Sequence, residues 1–266
     1  MRDGLGQKAW LARAGSGATW GRCVLETEAN IVSAQPRPGL ASPAAPAVPN
    51  LPAEHSLVQR VFERCNEAIA EACGRSSVPE EFLGALVANE SGGMADATRF
   101  EPAVYRHLMA VAQGQSPSYG SIDVTDLDRE VSQLLPANAV APHARYMTRG
   151  FAEIHSRQIR KTPDDALREL ATSWGYTQIM GYHMVGRPGG VRQLLDPRFH
   201  FRMAVWLLAE FAIDFHLDLA NDFAEMFCCW NTGRPHGRTY DPGYVSKGLG
   251  RMEIYHQLRQ TQPAAR

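Results

Sequence analysis

The chain has 266 residues, 44% hydrophobic and 21% charged, which suits a globular protein able to bury a core of useful size. A formal net charge of -1 and a pI near 6.8 give no bulk pull toward nucleic acid or an anionic membrane. The cysteines Cys23, Cys65, Cys73, Cys228 and Cys229 are odd in number and lack metal-ligand spacing, so free thiols are expected.

Residues 1–52 read as a disordered leader followed by a Pro/Ala-rich linker. Pro36, Pro38, Pro43, Pro46, Pro49 and Pro52 stand among Ala, Gly and Ser, a composition that favours extended chain over a packed element. No signal-peptide pattern opens the chain. The richest apolar run, Met203 to Leu219, is short and interrupted by Glu210, Asp214, His216 and Asp218, so no membrane span is expected. Synthesis in the cytoplasm is the corresponding expectation.

From residue 53 to 266 the pattern predicts one mostly helical domain. His55–Cys73 carries apolar residues at three- and four-residue steps and stops at Gly74. Ser77, Pro79 and Glu80 form a capping-box pattern for a helix running to about Ser91. Further helices are expected near Glu101–Gln113, Asp126–Leu135, His143–Arg160, Pro163–Ser173, Phe199–Leu217, Asn221–Asn231 and Tyr244–Gln260. Phe199–Leu217 is apolar on nearly every side and reads as the buried centre of the fold. At most one short hairpin, near Met94–Phe100, is allowed for. The stretch from Gln113 to Thr162 reads as an insert that forms a lid or a flanking helical hairpin.

One carboxylate stands out. Glu90 lies seven residues after Leu83, four after Leu86 and three after Val87, so it continues the apolar stripe of its helix. It also sits in the last turn, where the helix dipole disfavours negative charge. Both effects favour the neutral acid, which can donate a proton to a leaving oxygen. Gly92 and Gly93 follow and leave the backbone room to approach a ligand.

The run Ala88-Asn89-Glu90-Ser91-Gly92-Gly93 resembles the Glu-Ser-Gly-Gly signature of goose-type lysozymes and soluble lytic transglycosylases. Ser173 to Gly181, containing Gly175-Tyr176-Thr177-Gln178-Ile179-Met180, is similar to their Gly-x-x-Gln-Ile-Met element. Trp230-Asn231-Thr232-Gly233 with downstream Tyr244-Val245 resembles their aromatic-Asn-x-Gly run and Tyr-Val pair. Arg99-Phe100-Glu101-Pro102 and Val104-Tyr105-Arg106 look like the Phe-Glu segment of the bacterial and phage N-acetylmuramidase branch. The resemblance spans about Glu80 to Tyr255.

It implies a lysozyme-like helical domain that cuts the β-1,4 bond between N-acetylmuramic acid and N-acetylglucosamine in peptidoglycan. Glu90 would be the general acid and Glu101 the second carboxylate. Gln178, Ile179, Tyr182, Trp230, Asn231 and Tyr244 would contact the glycan strand. No metal or cofactor is implied. The alternatives are a lytic transglycosylase on the same fold and a non-catalytic peptidoglycan-binding or structural module. A cytoplasmic product of this kind would reach the wall by release, as an endolysin does, or by secretion.

Overall fold

The computed structural model describes residues 51–132 and 163–261. The leader up to residue 50, the expected helix His143–Arg160 and most of the insert lie outside them. In chain order come α1 (Leu51–Cys73), α2 (Glu80–Glu90), β1 (Thr98–Phe100), α3 (Pro102–Ala112), β2 (Ser118–Tyr119), β3 (Ile122–Asp123), α4 (Val124–Ser132), α5 (Pro163–Leu170), β4 (Thr172–Trp174) and β5 (Ile179–Met180). Two 3₁₀ turns, Gly181–Met184 and Val191–Leu195, lead into α6 (Pro197–Phe215), α7 (Phe223–Thr232) and α8 (Tyr244–Thr261). The mostly helical expectation holds. None of the described helices is long and apolar enough to cross a membrane.

The centre of the core is α2, not the long apolar helix. Phe82 through Ala88 are all buried. Leu83, Leu86 and Val87 are fully enclosed, each stabilised by roughly 1.5–3 kcal/mol relative to leaving it in water. Helices α1 and α8 pack along α2, and the rings of Phe223 and Phe227 in α7 close over Phe82, at 5.9 and 4.5 Å between centroids. Small residues permit this. Tyr255 of α8 lies so close to Gly84 that a Cβ there would fall 2.2 Å from the ring. Helix α6 buries only one face, through His200, Phe201, Ala204, Leu207 and Leu208, and leaves Ile213 exposed. Part of its other face is occupied by Arg187, whose guanidinium stacks 3.0 Å from the centre of the Trp206 ring. Apolarity all round a helix was therefore a poor guide to which helix is central.

Two local expectations also fail. Pro79, not Ser77, is the N-cap of α2, and no side chain caps it. Ser76 takes the hydroxyl role in the preceding turn, accepting from the Val78 N–H. Thr172 and Ser173, expected to end a helix, belong to β4, and Gly175 opens the turn that follows it. The strands pair antiparallel in the order β1-β4-β5, with Arg99 opposite Ser173 and Ser173 opposite Met180. β1 does fall in the segment allowed for a hairpin, but its partner is 74 residues away in sequence. A second antiparallel pair, β2 with β3, lies at the start of the insert. Strands of two or three residues are too short for alternation to reveal them.

Candidate active site

The segments singled out in sequence converge at one end of α2. Glu90 is the last residue of the helix. Ser91 follows, its hydroxyl donating to the Tyr176 carbonyl at 2.6 Å and accepting from the Gly93 N–H at 3.2 Å. Gly92 and Gly93 both adopt left-handed φ values, +62° and +86°, which the chain needs to turn directly after the acid. The Glu-Ser-Gly-Gly run is thereby tied to the β4–β5 turn.

That turn is held from below and from the side. Gly175 has φ +69°, and a Cβ there would fall 2.6 Å from the Leu194 carbonyl oxygen and 2.8 Å from the His200 ring. His200 is fully buried. Its Nε2 accepts from the Thr177 N–H at 2.9 Å, while Nδ1 lies 2.8 Å from the Leu194 carbonyl. Burial depresses its pKa to about 4, so the neutral ring is the one that braces the turn. Trp230, near the end of α7, donates from Nε1 to the Thr177 carbonyl at 2.9 Å. The Asn89 amide donates to the Tyr244 carbonyl at 3.1 Å, and Arg251 donates to the Asn89 side-chain oxygen at 2.7 Å and to Glu54 at 2.6 Å.

A cleft of ≈ 510 Å³ opens beside Glu90, within the usual range for ligand sites. Glu90 and Glu101 both line it, with Gln178, Ile179, Tyr182, Trp230 and Asn231. Of the residues expected at the site, only Tyr244 does not. It is buried behind the acid, its ring against Phe227 and its hydroxyl donating to Glu90 Oε1. It therefore steadies the carboxyl group instead of stacking on a sugar. Gln178 lines the cleft, but its amide is spent on the protein. Nε2 donates to the carbonyls of Ala97 and Gly175 at 3.1 and 2.9 Å, and Oε1 accepts from Ser173 at 2.8 Å. With φ +55°, Gln178 locks the turn under the cleft more than it reaches into it. Ile179 is 2% exposed and supplies packed wall, while Asn231 is exposed at the rim. Tyr182 stands edge-on to Tyr119, 5.4 Å between ring centres.

The two carboxylates differ electrostatically. Burial pushes the Glu90 carboxyl up to about 7, against the opposing pull of the Tyr244 hydroxyl and the positive charge of Arg99. Glu101, the residue before α3, is partly exposed and ion-paired with Arg99, whose Nε and Nη2 lie 2.6 and 2.5 Å from its Oε1. Sequence reasoning had not singled out Arg99 as a site residue. Its position two residues before Glu101 on an extended segment was the available signal, since such residues share a strand face. Among the described residues no cluster of His, Cys, Asp and Glu could hold a metal ion. The cleft thus joins one carboxyl group whose acid form burial favours, one ion-paired carboxylate and aromatic walls, a set able to donate a proton and to steady positive charge.

No protein-family model, no curated protein and no solved structure matches this chain.

Proposed function

We propose that the protein is a glycosidase acting on the glycan strands of peptidoglycan, an N-acetylmuramidase with Glu90 as general acid. The observation that carries this reading is the carboxyl group of Glu90, desolvated at the end of α2, raised to about 7 and lining a cleft that Glu101 also lines. Near neutral pH such a group retains a proton for the glycosidic oxygen, and general acid catalysis of this kind contributes about 10²–10⁴-fold. Glu101, held by Arg99, supports the second role: orienting a water, or steadying the oxocarbenium-like charge that develops on the sugar. Trp230 and Tyr182 offer aromatic wall to flat sugar faces. The resemblance of three ordered segments to lysozyme-like enzymes supports the substrate class.

The test is digestion of purified sacculi followed by mass spectrometry of the fragments. Fragments with reducing muramic ends are expected from the native protein, and none from Glu90→Gln folded to the same degree. Anhydro ends would move the assignment to a lytic transglycosylase, in which the sugar's own 6-hydroxyl attacks. Retained cleavage by the Gln variant removes Glu90 from the chemistry. Binding to sacculi without release of any fragment leaves a non-catalytic wall-binding module.

A further inference from the structure

Arg99 stands at the middle of β1, with its backbone fixed opposite Ser173 in β4. Its side chain is 78% exposed and lines the cleft. Two of its donors converge on one atom: Nε is 2.6 Å and Nη2 2.5 Å from Glu101 Oε1. Glu101 Oε2 receives no hydrogen bond among the described residues. The Glu101 backbone is fixed as well, its N–H donating to the Ala171 carbonyl at 2.8 Å. Both residues lie on extended chain two positions apart, so they project to the same side without any ordering of a loop between them. An ion pair this exposed adds little to folding. Two guanidinium donors on a single carboxylate oxygen do, however, restrict the swing of the carboxyl group and leave its other oxygen open to a ligand.

We propose that Arg99 is a positioning residue: it grips Glu101 by Oε1 and leaves Oε2 to order the water or the developing positive charge at the sugar, while its own charge acts on the acid across the cleft. The role of Glu101 in this statement rests on the glycosidase reading. The grip and the charge coupling do not.

The groups that act on Glu90 are the Tyr244 hydroxyl from α8 and the charge of Arg99 from β1, while Glu101 and His183 line the same cleft. Arg99 is the positive one among them that acts to keep Glu90 ionisable. Removing its charge therefore raises the pH at which Glu90 loses its proton, whereas replacing Arg by Lys keeps the charge and loses the two-donor grip.

The experiment uses the full chain with Arg99→Gln, Arg99→Lys, Glu101→Gln and the Arg99→Gln/Glu101→Gln double variant, each checked for an unchanged melting temperature. Two readouts are taken: kcat and KM on soluble peptidoglycan fragments across pH, and a ¹³C-carboxyl NMR titration of Glu90. Arg99→Gln is expected to lower kcat roughly tenfold with KM little changed, within the roughly 10²-fold that misplacing a catalytic group can cost. It should also raise the Glu90 midpoint. Arg99→Lys should restore the midpoint but only part of kcat. In the Glu101→Gln background, Arg99→Gln should cost little further kcat. An unshifted Glu90 midpoint in Arg99→Gln overturns the proposal. So does a change confined to KM, which marks a plain substrate contact, or full additivity with Glu101→Gln. If the native protein releases no fragment, the glycosidase reading fails, and the Glu90 titration still decides the coupling to Arg99.

Discussion

Glu90 ends a helix enclosed on every side, while Glu101 follows a three-residue strand whose side chains are all exposed. Behind Glu90 stand Tyr244, Asn89 and Arg251 in a chain of hydrogen bonds that joins α2 to α8 and α1. Beside Glu101 stands an exposed cation, Arg99. The difference shows how one cleft can hold two chemically equal groups in unequal surroundings. Desolvation acts on the first and favours its proton. The second stands at the surface, paired with a neighbouring guanidinium. Burial on the packed side dominates the acidity of Glu90, and on the exposed side Arg99 holds Glu101 by one oxygen.

Glu90→Gln tests the packed side hardest. Under the proposed function it should lower activity by about three orders of magnitude. It should also change the pH dependence of folding. The folded Glu90 carboxyl sits near 7, above its value of about 4.5 in an open chain, so the folded state binds this proton more tightly. That contribution is fully present below pH 4.5 and is lost as pH rises through 7, amounting to roughly 3 kcal/mol. Urea unfolding at pH 4.5 and pH 8 should show the native protein losing stability relative to the Gln variant. Equal pH profiles would mean the acid is not desolvated.

Glu101→Gln should lower activity by about 10²-fold. Because the ion pair is exposed, unfolding free energy should move by less than about 0.5 kcal/mol. A large loss of stability would erase the contrast between the two sides. Gly84→Ala probes the support under Glu90 without touching the cleft. Its Cβ would collide with the Tyr255 ring, and overpacking of this kind costs about 1–3 kcal/mol, read from the urea midpoint. Tyr244→Phe should have the smallest effect, about 1 kcal/mol of stability for the lost hydrogen bond. Since the hydroxyl pulls the Glu90 carboxyl downward, its removal should shift the alkaline limb of the pH–activity curve to higher pH. A shift to lower pH would show that the hydroxyl favours the neutral acid.

Much of this site was legible before the fold. Glu90 was reached from its place on an apolar stripe and at a helix end, and Glu101 from the resemblance of the Phe-Glu segment around it. Tyr244 and Gln178 were marked but given the wrong surroundings, because a side chain's partners depend on segments remote in sequence. The Tyr244 hydroxyl meets Glu90 across 154 positions, and Gln178 donates to Ala97 across 81.

Helix positions and ends follow from local periodicity and from Gly and Pro, which act within a turn or two, and so they were largely readable along the chain. The sequence alone thus determined a mostly helical domain and an acid at the end of one helix. Tertiary structure alone decided that α2 and not α6 is the centre, that β1 pairs with β4, and that Arg99 holds Glu101. Burial and pairing of these kinds arise only when distant segments pack together: Gly84 reads as a weak helix residue until the ring of Tyr255 lies against it.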